Sequence, residues 1–280
     1  MTENKDESKE LTAEEKVQYK KVGKVGYLTL NNPDKRNAID MPMVHRILSL
    51  LDEIDKNPKI RCLVINSIGD KSFSAGWDLA MFSDVSEKTI DNLLQIGAKI
   101  SRKIFFLKKP VIVQVQGPAV GMGTIMSLAA DFRIVADRDD IFFQLPEINI
   151  GPGIPPATGP TVGAVSLLGI AHAKDMLLTG RKVSLEEFDS WGAVTKIVSP
   201  PDKLKKVVKK YARKLSLKAP SLLYLSKTAI NIMGNRIAKE CWELENEMAY
   251  HYFNGMLNKD VKEDDEFIKD LWEKYGKGKP

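Results

Sequence analysis

Short apolar runs separated by helical patterns predict an α/β core for the first two thirds of the chain. Strand-like runs occupy residues 25–31, 60–66, 110–116 and 132–136. Helical patterns lie between them, at residues 41–56, 88–107 and 122–130. Strands that alternate with helices in this way favour parallel pairing through crossover connections.

The last part of the chain has a different pattern, in which helices dominate from residue 156 onward. One short strand is predicted near residues 193–198, and helical patterns follow at 201–217, 221–232, 237–253 and 264–275. We therefore divide the chain into a disordered polar tail (1–16), an α/β core (17–200) and a C-terminal helical region (201–280).

Composition is that of an ordinary globular protein: 280 residues, 43% hydrophobic, 28% charged and a net charge of +5. Residues 1–16 contain six acids and three lysines, which is unlike a signal peptide. No apolar run reaches the ~20 residues that a membrane span needs. We expect a cytoplasmic protein without membrane association.

Metal and disulfide chemistry are not indicated. Cys62 and Cys241 lie far apart, and His45, His172 and His251 have no mutual metal-ligand spacing. We expect no metal site.

Much of the net positive charge comes from residues 203–218, where seven lysines and one arginine surround apolar residues at helical spacing. We interpret this segment as a solvated helix face. A nucleic-acid-binding face is the alternative that we disfavour.

Three unusual loops follow predicted strands, which is where open α/β folds place ligands. In residues 73–79, Ala75-Gly76 suggests a tight turn whose free N–H groups can hold an oxyanion. In residues 116–123, glycines permit close approach of the backbone to a ligand. The second loop has neither the third glycine of a dinucleotide fingerprint nor the Gly-Lys-Ser/Thr of a P-loop.

The third loop, residues 144–153, carries Glu147 within an apolar run. A carboxyl group beside apolar neighbours has a raised pKa and can act as a general base. A buried structural glutamate is the competing interpretation. The residues alone leave both open.

Taken together, these segments resemble the crotonase superfamily, also called the enoyl-CoA hydratase/isomerase family, from about residue 19 to residue 274. The resemblance is carried by five ordered motifs: Leu30-Asn31-Asn32-Pro33 with Arg36-Asn37-Ala38-Ile39, residues 73–79, residues 116–123, residues 131–136, and Pro146-Glu147-Ile148.

The resemblance implies a spiral of ββα units with C-terminal helices that form a trimer or a dimer of trimers. An acyl-CoA thioester is the implied substrate, and coenzyme A is needed only as part of it. The implied oxyanion hole consists of the backbone N–H groups of Trp77 and Met122. The other implied binding positions are Lys35, Arg36, Ala38, Ala75, Gly76, Asp78 and Ile125. Aromatic residues of the C-terminal region, such as Trp242, Tyr250, Tyr252 and Phe253, also suggest an interface.

The most informative departure from the family pattern is Ile125. Hydratases of the family commonly carry a glutamate there, in addition to the one at the Glu147 position. Two carboxylates can clamp and activate a water, whereas moving a double bond needs only one base. Our leading hypothesis is therefore Δ3,Δ2 isomerisation of an enoyl-CoA with Glu147 as the catalytic base.

Other reactions remain open at this point. A hydratase or dehydratase with one glutamate could take its second acid from Asp84 or Glu87, on the stretch after Asp78. A CoA-ester hydrolase, a decarboxylase and an RNA-binding homologue are minor alternatives.

Overall fold

The computed structural model describes residues 11–82, 87–151, 153–257, 262 and 264–275. Its strands are β1 (Val17–Val22), β2 (Val25–Leu30), β3 (Cys62–Ser67), β4 (Val111–Val115), β5 (Ala119–Val120), β6 (Phe132–Ala136), β7 (Phe142–Gln144), β8 (Val183–Ser184) and β9 (Lys196–Val198). Its helices are α1 (Ala13–Lys16), α2 (Met41–Lys56), α3 (Glu87–Phe106), α4 (Met122–Ala129), α5 (Pro160–Thr179), α6 (Leu185–Ser190), α7 (Leu204–Ser216), α8 (Pro220–Leu257) and α9 (Asp264–Tyr275).

A six-stranded sheet in the order β1-β2-β3-β4-β6-β9 forms the centre of the core. The pair β1–β2 is antiparallel, and every other pair in this sheet is parallel. The predicted parallel pairing is therefore confirmed. The central strands β3 and β4 are almost entirely buried, as expected for a sheet with both faces covered.

A second, three-stranded sheet in the order β5-β7-β8 lies beside the first. Short strands β5 and β7 pair in parallel, with Ala119 opposite Phe143 and Val120 opposite Gln144. The small sheet thereby joins the glycine-rich loop after β4 to the loop that carries Glu147.

Helix α2 shows how local sequence sets element bounds. The side chain of Asp40 accepts a hydrogen bond from the N–H of Met43 at 3.0 Å, and Pro42 lies in the first turn. One face of the helix, including Ile47, Leu51 and Ile54, is fully buried. The predicted helix and its N-cap are both confirmed.

The polar tail ends earlier than predicted, because residues 13–16 form the short helix α1. Thr12 and Glu15 make a reciprocal capping box at its start. Lys16 is buried and binds Asp40 with its Nζ 2.8 Å from Oδ2. This ion pair attaches the segment to the start of α2. Residues 1–10 of the predicted tail lie outside the described residues.

The two helices predicted at 221–232 and 237–253 are one continuous helix, α8, of 38 residues. The residues between the two predicted helices, 233–236, include Gly234. A glycine inside a helix costs only about 1 kcal/mol relative to alanine, which packing elsewhere on a long helix offsets.

An ion pair between α8 and the core fixes where the long helix docks. Lys227 donates to Asp131 Oδ2 at 2.7 Å and to the carbonyl of Lys109 at 3.2 Å. The same carboxylate oxygen accepts the N–H of Val111 at 2.7 Å. Burial lowers the pKa of Lys227, and Asp131 acts in the opposite direction.

Trp242 and Phe253, two of the aromatic residues from which an interface was inferred, are buried within this chain. Other apolar residues of α8 are exposed instead: Leu222, Leu225 and Ile230 are each more than 60% exposed. The trimer stays a prediction, now with these residues as its suggested contact surface.

Of the described helices, α5 alone is long and apolar enough to cross a membrane by length and composition. It is kinked at Gly169 and buries Val162, Ala164 and Leu168 in the chain. A core helix passes the same test, so this is weak support for a membrane role. The cytoplasmic location stays a prediction.

We predict that Lys227→Met lowers the free energy of unfolding by about 3 kcal/mol, because it leaves the Asp131 carboxylate in a part-buried site without its cation. Urea unfolding followed by circular dichroism measures this. Lys103→Met is the matched control, since Lys103 pairs with Asp52 at the surface, where ion pairs contribute little. Equal losses for the two variants would contradict the docking role of Lys227.

Candidate active site

A cavity of about 670 Å³ opens where the three loops meet. The lining residues are Lys35, Ala38, Ala75, Trp77, Asp78, Leu79, Leu93, Leu94, Val120, Gly121, Pro146, Glu147, Ile150, Gly151, Gly153, Ile154, Pro155, Ala157, Thr158 and Phe253. Nearly all of them are apolar, and Glu147, Asp78 and Lys35 are the ionisable members. The cavity therefore suits a mostly apolar ligand, and only these three side chains can make charged contacts with it.

The segment after β3 is held on one side by the loop after β2. Ala75 N–H donates to the carbonyl of Arg36 at 3.0 Å, and Ile39 N–H donates to the carbonyl of Gly76 at 2.8 Å. The Ser74 hydroxyl donates to the carbonyl of Asn37 at 2.8 Å. These hydrogen bonds fix this side of the segment to the loop after β2.

The loop after β4 holds the same segment on its other side. Val120 N–H donates to the carbonyl of Ser74 at 2.9 Å. Gly76 has a φ of +87°, and a β-carbon there would be 2.8 Å from the carbonyl oxygen of Val120 and 3.1 Å from the amide nitrogen of Met122. Only glycine permits so close an approach of the two backbones.

Two backbone N–H groups at this contact have no acceptor among the residues that the structure describes. One belongs to Trp77, directly after Gly76, and the other to Met122, the first residue of α4. The N-terminus of a helix favours negative charge. The two N–H groups predicted to form the oxyanion hole are thus both without an acceptor among the described residues, and the Met122 side chain is buried. The oxyanion hole stays a prediction.

Glu147 is brought beside this pair of donors through β7. Gly121 N–H donates to the carbonyl of Gln144 at 2.9 Å, which fixes the glycine loop against the Glu147 segment. A β-carbon on Gly121 would be 3.2 Å from Oε1 of Glu147. The carboxyl group therefore lies against the residue that precedes Met122.

Burial in this apolar surrounding raises the pKa of Glu147 to about 7. No side chain within the described ranges is hydrogen-bonded to its carboxyl group. Such a group is half ionised near neutral pH and free to take up a proton, which is the condition for a general base.

Asp78 differs from Glu147, although it lines the same cavity. Its carboxylate accepts hydrogen bonds from Lys35 Nζ at 3.0 Å and from Ala80 N–H at 3.1 Å. The hydrogen bond from Lys35 is the main cause that lowers the pKa of Asp78. Asp78 therefore stays ionised and occupied, which suits a structural role rather than proton transfer.

Six of the ten predicted site residues line the cavity, whereas Arg36, Gly76, Met122 and Ile125 do not. Arg36 lies at a separate depression of about 180 Å³ with Asn37 and Gly69. Its positive φ of 54° turns the loop so that Lys35, not Arg36, reaches the cavity. Ile125 is buried inside α4. The role of Arg36 in CoA binding is therefore not supported by its position.

The two acids considered as partners of Glu147 cannot be placed. Asp84 lies outside the described residues, and the side chain of Glu87 is not among those described. Within the described ranges, no three His, Cys, Asp or Glu side chains are grouped to hold a metal.

Sequence reasoning missed several parts of the site. Leu93 and Leu94 of α3 and Phe253 of α8 line the cavity, as does the loop at residues 153–158. For that loop, the only sequence feature that could have indicated a place in the site is its apolar Gly-Ile-Pro-Pro sequence. Asn32 was read as part of a motif, whereas its amide group donates to the carbonyl of Ala38 at 3.1 Å and shapes the turn that presents Lys35.

Comparisons with known proteins show the family of this chain. The model of the family "Enoyl-CoA hydratase/isomerase" matches residues 20–269. The chain is similar to a crotonyl-CoA hydratase from Syntrophomonas wolfei, with 33% identity over 78% of this chain and 82% of the relative. It is similar to a carnitinyl-CoA dehydratase from Salmonella arizonae, with 37% identity over 71% of this chain and 73% of the relative.

The fold also matches a crystal structure of an enoyl-CoA hydratase from Bacillus anthracis. The TM-score is 0.72, at 26% identity over 81% of this chain and 90% of that chain. The expected crotonase fold is confirmed by this likeness, and the C-terminal helices are present. Since the family model spans nearly the whole chain and the relatives match most of it, the chain belongs to the enoyl-CoA hydratase/isomerase family of enzymes, the crotonase superfamily.

Proposed function

We propose that this enzyme isomerises a 3-enoyl-CoA thioester to the 2-enoyl-CoA, with Glu147 as its only base and no metal or further cofactor. One observation carries the proposal: the Glu147 carboxyl group, which has a raised pKa and no side-chain hydrogen-bond partner among the described residues, lies in an apolar cavity beside Gly121. The nearby N–H groups of Trp77 and Met122 have no acceptor among the same residues. The acyl-CoA as substrate class agrees with the family of the chain.

In the proposed reaction, the Glu147 carboxylate removes a proton from C2 of the thioester. The electron pair of the broken C–H bond moves into the thioester carbonyl, which becomes the oxygen of a dienolate. Trp77 and Met122 N–H groups donate to that oxygen as its negative charge develops. Glu147 returns the same proton to C4, so the double bond moves and no atom is gained or lost.

The cavity favours this reaction because, of the ionisable side chains that line it, Glu147 is the one suited to carry a proton. Asp78 is held by Lys35 and Ala80 and cannot serve as a second base. The position where a second glutamate stands in many hydratases is Ile125, which is buried. An apolar wall also excludes water from the dienolate, which protects it from side reactions.

Hydration of a 2-enoyl-CoA is the second candidate, and the names of the relatives favour it. A crotonyl-CoA hydratase and a carnitinyl-CoA dehydratase both add or remove water, as their names state. This reaction needs a group that activates the water together with Glu147. Asp84 and Glu87 are the candidates in the sequence.

We predict that the native enzyme converts 3-enoyl-CoA to 2-enoyl-CoA faster than it hydrates 2-enoyl-CoA. Both reactions are followed with the same thioester chain length by ultraviolet absorbance and by mass spectrometry of the product. Asp84→Asn and Glu87→Gln are matched variants that leave migration intact in our proposal. Efficient hydration without migration, abolished by either variant, would replace the isomerase with the single-glutamate hydratase.

We predict that Glu147→Gln lowers kcat by about 10²- to 10⁴-fold, because the amide has the same shape but takes up no proton. Binding of the CoA thioester, measured by calorimetry, should change little. In the native enzyme, kcat/KM should fall about tenfold per pH unit below a pKa of about 7, since only the ionised carboxylate acts as a base. A profile that is flat between pH 5 and 8 would contradict this assignment.

We predict that Gly76→Ala lowers kcat/KM by about 10²-fold or more, because the new methyl group pushes the Trp77 and Met122 N–H groups apart. Gly23→Ala is the control, since Gly23 has a similar φ of +60° but no atom within 4 Å of the added carbon. Steady-state kinetics and melting temperatures are measured for both variants. An equal loss of activity in the two would mean that backbone strain, not the contact at Gly76, is responsible.

A further inference from the structure

The loop at residues 153–159 is a wall of the cavity that begins at the backbone of Glu147. Ile154 N–H donates to the Glu147 carbonyl at 2.9 Å, and Gly153 N–H donates to the Ile150 carbonyl at 2.9 Å. Five residues of this loop line the cavity. A displacement of the loop therefore acts on the backbone that carries the carboxyl group.

The far end of the loop has a strained backbone and packs against helix α3. Thr158 has a φ of +70°, which is unusual for a β-branched residue. Its side chain and the Trp77 ring both lie against Gly97, where a β-carbon would be 2.6 Å from Thr158 Cγ2 and 2.9 Å from the ring. The Ser101 hydroxyl holds the Thr158 carbonyl at 2.6 Å. Such a conformation persists only where its surroundings over-determine it.

A carboxyl group of helix α8, that of Glu245, binds the end of the loop and the start of α5. Glu245 accepts the N–H of Gly159 at 2.8 Å with Oε2 and the N–H of Thr161 at 2.6 Å with Oε1. Its side chain is 3% exposed. Gly159 is the N-cap of α5 and has no side chain of its own, so Glu245 supplies the missing capping acceptor.

Glu245 does not line the cavity, and nothing in the proposed reaction uses it. The groups that bind its carboxyl group are uncharged backbone and hydroxyl groups of α5 and the turn before it. The ionisable residues that share the cavity with Glu147 are Lys35 and Asp78, which lie on other loops. The loop at residues 153–159 connects the residues that Glu245 binds to the backbone of Glu147.

We propose that Glu245 is a positioning residue for the active site: by fixing residues 158–161 it holds the cavity wall, and through that wall it keeps Glu147 desolvated beside the oxyanion hole. This inference rests on the proposed role of Glu147 as the base. The catalytic site is then completed by a helix that lies outside the α/β core.

The first test measures the loop directly and needs no turnover. In Glu245→Gln, the amide retains one acceptor oxygen and cannot ionise. Since burial raises the pKa of Glu245 to about 7, exchange is measured at pH 8, where the native carboxylate carries the charge that favours the helix N-terminus. We expect faster hydrogen–deuterium exchange in peptides that cover residues 148–164, with other core peptides unchanged. Glu243→Gln is the matched control, because Glu243 is an exposed residue of the same helix. Unchanged exchange in the 148–164 peptides would overturn the proposal.

The second test measures the effect on Glu147. A looser wall admits water, so the pKa of Glu147 should fall from about 7 toward its ordinary value. We expect the ascending limb of the kcat/KM profile of Glu245→Gln to move to lower pH by about 0.5 unit or more, with kcat lowered at least as much as KM is raised. Faster exchange with an unmoved limb would overturn the proposal, because Glu245 would then only stabilise the fold.

Ser101→Ala keeps the inference testable if Glu245→Gln fails to fold, because it removes the hydrogen bond to the Thr158 carbonyl, next to the residues that Glu245 binds. It should shift exchange and the pH limb in the same direction by smaller amounts, and no shift in either would overturn the proposal. Failure of the proposed function gives a different result from failure of this inference. A Glu147→Gln variant with native activity would contradict the role of Glu147 as the base. The exchange result on Glu245→Gln would not be affected by that outcome.

Discussion

The close contact of two backbones, at Gly76 and at Gly121-Met122, is the constraint on which the site depends. No side chain fits between them, since a β-carbon on Gly76 would overlap the Val120 carbonyl. This contact brings the backbone around Trp77 close to the start of α4 without any side chain between them. The proposed oxyanion role needs only the Met122 amide, which is compatible with a side chain packed in the core.

The parallel sheet makes this contact possible, because it brings the ends of β3 and β4 to the same edge. Strand β3 leads to the Gly76 segment and β4 to the Gly121 segment, and the two strands are paired in register from Leu63 with Val111 onward. The small sheet adds β7, which delivers Glu147 to the same place. Rigid, buried strands thus fix loops whose own backbones are irregular.

The sequence predicted the parts of the molecule that follow from local pattern. Buried strands such as β3, the capped helix α2 and the glycine-rich loops were all visible as periodicity or turn chemistry. Glu147 was visible as a carboxyl group among apolar neighbours. The family motifs then connected these segments into one fold and one oxyanion hole.

The rest of the fold and of the site could not be predicted from the sequence, because it depends on contacts between residues that are far apart along the chain. The sequence pattern predicted two helices where α8 is continuous. The ion pair that docks this helix joins Lys227 to Asp131, which is far away in the sequence. Phe253 looked like an interface residue and lines the cavity instead. Likewise, the side chains of Arg36 and Lys35 are adjacent in sequence, and only the left-handed turn at Arg36 and Asn37 determines which one reaches the cavity.

The C-terminal helix therefore has a part in the site as well as in the fold. Lys227 fixes α8 on the core through Asp131, and the same helix places Phe253 at the cavity wall and Glu245 at the start of α5. These three contacts lie along one continuous helix, so the position of the cavity wall is connected to how the helix docks. Any association of chains through the exposed residues of α8, such as Leu225 and Ile230, would act on that same element. The geometry around Glu147 is in this way coupled to packing well outside the loops that hold the reacting groups.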